Sequence, residues 1–461
     1  MIGIGSFHTR DCHGVSRRAF LQAGTTLPFA AGLTGLSGRA ASAKNGAASA
    51  KNEGTAKSVL VLWLHGGPSH VDLFDPKPKA DISYRGPFGA IQTRQPGIHY
   101  SELLPLTAAR SHLFSLVRTN VNYEAGHRPA SSIMMTGKQA PDGGEDRSGK
   151  PGQYPPHFGS ILARHRGSAG LPGFISLARG PIGDGVGPVF GYGGGKWGKG
   201  HDPFRVSCSA QGDVSIQALE LPEGLSPMRL TDRRNLLAAL DTAKRKVDTK
   251  KFLKWDGDLQ QAYSLLTSTG TSKAFDLTQE THRTRDSYGH TSFGQSALLG
   301  RRLVEAGVPY VQVNWSQFVE IYAPYSANGW DTHADNFGLL TDWHGPLLDR
   351  VVSALLDDMH DRGLLDQTLV VVMGEFGRTP KINNIGSRDH WPQCYFSLWA
   401  GGGIQPGRVV GESDRNGEHP LTSPIYPPMV GTTILELAGM ATADRAEMKV
   451  LEGGRVIDGL L

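Results

Sequence analysis

The residues Ser58-Val59-Leu60-Val61-Leu62-Trp63-Leu64 form a continuous apolar run that stops abruptly at His65-Gly66-Gly67-Pro68. A half-exposed strand alternates polar and apolar side chains, whereas a run this short and unbroken belongs to a strand buried on both faces. Such strands sit in parallel sheets covered by helices on each side. Two further units carry the same message. Leu298 to Ala306 reads as a helix closed by Gly307 and leading into a strand at Tyr310 to Val313. Leu347 to Arg362 places Leu348, Val351, Val352, Leu355, Leu356 and Met359 at helical spacing, ends at Gly363, and precedes a strand at Thr368 to Met373. Helix-then-strand units with short glycine links predict an α/β fold: a mostly parallel sheet flanked by helices.

The stretch between these units is less regular. Gly180 to Gly200 is dominated by glycine and suits a loop or lid; it is no phosphate loop, since no Gly-Lys-Ser/Thr follows it. Helices are expected at Leu230 to Val247, capped by Thr231 or Asp232, then at Leu253 to Leu266 and Leu277 to Arg285. The region from about 200 to 290 is therefore read as a glycine-rich loop and helical insertion within one domain spanning 58–461. Composition limits the function. With 39% hydrophobic and 20% charged residues a large core is available and global disorder is excluded. A net charge of +4 with no long basic run is not the footprint of a nucleic-acid binder. Cys208 and Cys394 are far apart in sequence and read as a disulfide or, preferably, as two buried thiols.

The N-terminus carries its own signal. Ser16-Arg17-Arg18-Ala19-Phe20-Leu21-Gln22 resembles the twin-arginine export signature. The apolar stretch Leu21 to Leu36 is broken by Gly24, Pro28, Gly32 and Gly35, so it is too short to span a bilayer, and Ala41-Ser42-Ala43 offers a cleavage site. Residues 1–43 are expected to be a signal peptide and 44–57 a flexible linker. No transmembrane segment is expected, and the location is periplasmic or otherwise extracytoplasmic. The resemblance implies export of a folded chain, often after a metal or cofactor has been acquired.

Ligands of open α/β sheets bind outside the carboxyl ends of the strands, and several polar residues fall there. His65 follows the first strand directly. Glu375 lies two residues past the strand at Val370 to Met373. Asp331 and His333 stand in Trp330-Asp331-Thr332-His333, and Asp389 and His390 in Ser387-Arg388-Asp389-His390-Trp391-Pro392. Imidazole and carboxylate donors at four loops suit Zn²⁺, Mn²⁺ or Ca²⁺. Taken singly, each residue reads equally as a turn, a cap or half an ion pair; their joint placement makes the cluster. Arg378, in Glu375-Phe376-Gly377-Arg378-Thr379-Pro380, has two readings: a grip on a phosphate or sulfate, or a structural partner of Glu375. Gly66-Gly67 brings backbone N–H groups to a ligand or forms a tight turn. Asp72 and Asp75 read as turn formers in preference to groups supporting the cluster.

The stretches Leu62-Trp63-Leu64-His65-Gly66-Gly67-Pro68-Ser69, Trp330-Asp331-Thr332-His333, Gly374-Glu375-Phe376-Gly377-Arg378-Thr379-Pro380 and Arg388-Asp389-His390-Trp391-Pro392 resemble a large, functionally uncharacterised family of twin-arginine-exported bacterial proteins. Its members look like distant relatives of sulfatases within the alkaline phosphatase superfamily. That resemblance implies the superfamily fold and a nucleophile segment, which His127-Arg128-Pro129-Ala130-Ser131-Ser132-Ile133-Met134-Met135-Thr136-Gly137 matches in spacing, proline and terminal Thr-Gly. His127 takes the nucleophile's position. Formylglycine cannot be made from His, so ordinary sulfatase chemistry is excluded on this alignment. His65 stands where the superfamily has an acidic ligand, and Glu375-Phe376 where it has Asp-His.

Two functions follow. The first is a metal-dependent hydrolase of phosphate or sulfate esters, with an anionic small molecule or a polysaccharide as substrate. Asp331, His333, Glu375, Asp389 and His390 would hold the metal; His65 and His127 would be ligands or acid and base; Arg378 would steady the anion. The second is a non-catalytic descendant that binds a glycan or a partner protein.

Overall fold

The computed structural model describes residues 54–138, 154–167, 171–177, 189, 191–216, 273–315, 329–451 and 453–461. The expected signal peptide, residues 44–53 of the expected linker, the helices at 230–247 and 253–266, and most of 180–190 lie outside these residues. The end of the expected linker is instead part of the domain: Ala56 is buried and its N–H donates to Leu437 O at 2.9 Å, and the Lys57 N–H donates to Gln367 O at 2.7 Å.

Among the described residues the strands, in chain order, are β1 Ser58–Leu64, β2 Ala90–Gln92, β3 His99–Ser101, β4 Ser115–Asn120, β5 Phe174–Leu177, β6 Phe204–Cys208, β7 Val214–Ile216, β8 Tyr310–Trp315, β9 Thr368–Met373, β10 Gly377–Arg378, β11 His390–Trp391, β12 Tyr395–Ala400 and β13 Val409–Val410. Nine of them form one sheet in the order β13-β4-β12-β9-β1-β8-β5-β6-β7. The centre β9-β1-β8-β5-β6 is parallel throughout, while β12 and β7 run against their neighbours. Two reversals at β12 bring β4 back into the common direction, and β13 follows it. The fold is α/β with a large, mostly parallel sheet.

The alternation along β1 shows why its run had to be apolar on both sides. Leu60, Leu62 and Leu64 enter one core, where they meet α3 (Ser292–Glu305) and α4 (Gly345–Asp361). Val59, Val61 and Trp63 enter the other, against α1 (His127–Thr136), α2 (Phe158–Arg166) and α5 (Pro427–Leu437). All seven residues of β1 are buried. Gly300 lets α3 lie close on the sheet, because a Cβ there would stand 3.0 Å from both Leu60 and Val313.

The helix expected at Leu277 to Arg285 is in fact two pieces. A 3-10 turn occupies Leu277–Gln279, Glu280 returns to extended backbone, and Thr281 caps a new helix, His282–Tyr288, by accepting from the Thr284 N–H at 3.1 Å. Residues 191–200 of the glycine-rich stretch pack on the start of α2, with His157 N–H donating to Gly193 O and Lys196 N–H to Tyr154 O. Both described cysteines are free and buried.

Candidate metal centre

Four strands that point the same way deliver the side chains to one edge of the sheet. His65 is the first residue after β1. Beyond β4 the chain turns through 121–126 and enters α1 at His127. Asp331 lies on the segment that returns after β8, and Glu375 follows β9. The β1 and β8 loops touch at Gly66, whose φ is +115° and whose hypothetical Cβ would sit 2.4 Å from the Asp331 nitrogen. Only glycine fits there. Its N–H donates to Glu375 Oε1 at 2.8 Å.

Glu375 is wholly buried. Its Oε1 also meets His127 Nδ1 at 2.7 Å, with His65 Nδ1 3.5 Å away, while Oε2 has no hydrogen-bond partner. The other ring nitrogen of His127 stands 3.1 Å from Asp331 Oδ2. His127 thus bridges two carboxylates. Burial is the largest single influence on its pKa and lowers it, but hydrogen bonds and charges from Asp331 and Glu375 outweigh burial and lift it to about 9. Asp331 is affected most by burial, which raises its pKa; hydrogen bonds from His127, His333 and His390, with the Arg378 charge, reverse this and hold it far below the usual carboxylate range.

On the open side, His390 Nδ1 lies 2.7 Å from the Ala125 carbonyl, which can only accept, so that nitrogen carries the proton. His333 Nδ1 likewise donates to Asp389 Oδ1 at 2.8 Å. In their neutral forms both rings therefore turn an Nε2 lone pair inwards. The two Nε2 atoms are 2.9 Å apart, and Asp331 Oδ1 lies 3.0 Å from one and 3.1 Å from the other. Three acceptors crowded together repel unless a cation or a proton joins them. This donor set fits a divalent cation, with each imidazole oriented through its remote N–H in the manner of metal-bound histidines.

Candidate ligand groups are His65, His127 and Glu375, and His127, Asp331 and His390, the atoms in each lying within 4.8 Å of one another. Asp389, expected among the ligands, stands behind His333 and fixes its ring; its side chain is 52% exposed. Arg378 does not point to a ligand. Its guanidinium is fully buried and donates to the carbonyls of Gly66, Gly67 and Trp330 and, at 2.7 Å, to Asp331 Oδ1. Those bonds commit it to positioning Asp331 and tying the β1 and β8 loops together, and not to an anion or to Glu375. Ser131 and Ser132 are buried in the turn of α1 beyond His127.

Two positioning residues escape a reading of the sequence. Arg388 is buried and holds the Asp72 carboxylate on two bonds, 2.7 and 2.9 Å, while donating to the carbonyls of Thr379, Pro380 and Tyr84. It anchors the loop that carries Asp389 and His390. Asp72 is thereby a buried ion-pair partner in place of a turn former, and Asp75 faces Lys77 and Arg118. Asn122 donates to Glu375 O at 2.8 Å and to Ala130 O at 3.0 Å, fastening the start of α1 to the β9 loop. Arg388 had a weak signal, its place beside two candidate ligands; Asn122 had none.

A family model matches residues 56–457. The chain belongs to DUF1501, a family of proteins of unknown function. No match is found among curated proteins. Among solved structures this DUF1501 chain is similar to the PsFucS1 sulfatase from Pseudoalteromonas sp., at 11% identity and TM-score 0.36 over 83% of this chain and 67% of that chain. It is also similar to the phosphonate monoester hydrolase SpPMH from Silicibacter pomeroyi, at 13% and 0.33 over 88% and 76%. A third is alkaline phosphatase from the Antarctic bacterium TAB5, at 11% and 0.34 over 84% and 99%. Likeness of this size carries no argument about chemistry. Among the described residues no helix is long and apolar enough to cross a membrane.

Proposed function

We propose that this DUF1501 chain is an exported, metal-dependent hydrolase of phosphate or sulfate esters carried by a small molecule or a polysaccharide. The observation that supports it best is the inward triangle of His333 Nε2, His390 Nε2 and Asp331 Oδ1. Asp331, His333 and His390 would hold the ion, with His127 Nε2 alongside. A set richer in imidazole than in carboxylate favours Zn²⁺ or Mn²⁺ over Ca²⁺, which prefers oxygen. An ion there would supply Lewis-acid charge for a phosphoryl or sulfuryl oxygen. Asp389 holds the His333 ring, Ala125 the His390 ring and Arg378 the Asp331 carboxylate, so the donors are set before a substrate arrives. His127 is held at both ring nitrogens and is no mobile nucleophile; water is the attacking group. Entry is from the His333 side, where that side chain is 41% exposed while Glu375 behind it is closed off.

Metal content by mass spectrometry tests the reading. Purified wild type should retain divalent metal that Asp331→Ala and His390→Ala lose, and a panel of phosphate and sulfate esters should show turnover abolished by chelation. A wild type that is well folded yet empty after reconstitution overturns the proposal and leaves a glycan- or protein-binding role in front. Export is tested separately: changing Arg17 and Arg18 to Lys should leave the precursor in the cytoplasm, and unimpaired export would sink the twin-arginine route.

A further inference from the structure

The candidate ligands divide into two sets that meet only at His127. On the closed side are His65, Glu375 and the His127 Nδ1; on the open side are Asp331, His390 and the His127 Nε2. The two nitrogens of one imidazole aim in divergent directions, so a single ion cannot take both lone pairs. One ion on the open side would leave Glu375 Oε1 to accept the Nδ1 proton, and that arrangement accounts for Oε1. It does not account for Oε2, a carboxylate oxygen sealed from solvent with no partner. Nor does it account for a second buried imidazole, His65, brought up to the same carboxylate. A buried carboxylate demands a compensating charge or full hydrogen bonding.

Resting on the reading of this site as a metal centre, we infer that the chain holds two divalent ions joined by the His127 ring. The inner ion takes His65, Glu375 and His127 Nδ1. The outer ion takes Asp331, His333, His390 and His127 Nε2. The ring, which faces a carboxylate oxygen with an N–H at each nitrogen, loses one proton to solvent as each ion binds, so that both nitrogens then act as lone-pair donors. The two ions are unequal in access. The inner set is wholly within the protein, whereas the outer set includes the half-exposed His333. The chain's own residues support the bridge: Asn122 pins the first turns of α1 to the β9 loop, which keeps the His127 ring between the two carboxylates.

The test strips the full chain with a chelator, reconstitutes it with Zn²⁺ and counts the metal, then repeats the loading with Cu²⁺ for electron paramagnetic resonance. Wild type should bind two Zn²⁺ per chain, and Glu375→Gln, which keeps the shape but weakens the inner set, should bind one. With Cu²⁺ the wild-type signal should integrate well below two spins, because an imidazole bridge couples them; Glu375→Gln should give one isolated spin. One Zn²⁺ in both proteins overturns the inner site while leaving the hydrolase proposal intact. Two fully uncoupled Cu²⁺ spins overturn the bridge. A chain that takes up no metal at all overturns both proposals. Should Glu375→Gln fail to fold, the wild-type metal count and spin count decide alone.

Discussion

Arg388 holds Asp72 on two buried hydrogen bonds, and neither side chain reaches solvent. Replacing one partner strands the other as a buried, unpaired charge, which costs about 3–5 kcal/mol. Arg388→Met should therefore lower the urea unfolding midpoint by an amount equivalent to that loss. Asp72→Leu combined with Arg388→Met should recover part of it, because no charge is left behind. The same single variant should weaken metal binding by roughly 10–100-fold, the usual effect of freeing a ligand from its support. An unchanged midpoint with unchanged metal affinity would remove Arg388 from the account of the site. At this scale the sequence was only half legible. His65, His127, Asp331, His333, Glu375 and His390 could be picked out because their residue types and strand-end positions are local facts. The commitments of Arg378 and Arg388 could not, because they depend on carbonyls and carboxylates contributed by loops far away in sequence.

Among the elements, α4 shows most plainly how pattern becomes structure. Its apolar stripe, read from Leu348 to Met359, is buried against the β1 face of the sheet. Leu355→Ala should destabilise the chain by about 2–5 kcal/mol, measured by denaturant unfolding, with no change in metal content per folded molecule. A loss of metal without loss of stability would contradict that division between core and site. Helix α2 makes a different prediction. Its N-cap is His157, whose Nδ1 accepts the Gly159 N–H at 2.9 Å, and burial drives its pKa down to about 3. An unfolded histidine titrates near 6.5, so the unfolded chain takes up the proton first as pH falls. The His157 contribution is complete above about pH 6.5 and should fall by about 1.4 kcal/mol per unit as pH falls towards 3. His157→Asn keeps a capping acceptor and should flatten that slope; an unaltered slope would assign the acid sensitivity elsewhere. Strands and helices were legible because the apolar period of β1, α4 and β9 is strong. The break at Glu280 was not, since it depends on a cap by Thr281 that competes with a continuous helical pattern.

For the molecule as a whole, a bound ion stabilises only the folded state, by an amount set by its concentration relative to its dissociation constant. At a thousandfold excess that is about 4 kcal/mol, so chelation should lower the Tm measurably, and Zn²⁺ should restore it. A Tm indifferent to chelator would mean that no tightly held ion contributes to the folded state. The nine-stranded sheet was foreseen as α/β, while the antiparallel turn-back at β12 was not, because nothing local to Tyr395–Ala400 records the direction of its neighbours. That same sheet has a consequence for timing. Gly66 and Glu375, which meet beside the site, are 309 positions apart in the chain, so their contact can close only once nearly the whole domain has been made. No fragment emerging early from synthesis contains the whole ligand set. On the proposed reading, capture of an ion therefore requires a finished molecule, since a chain halted halfway has nothing with which to hold it.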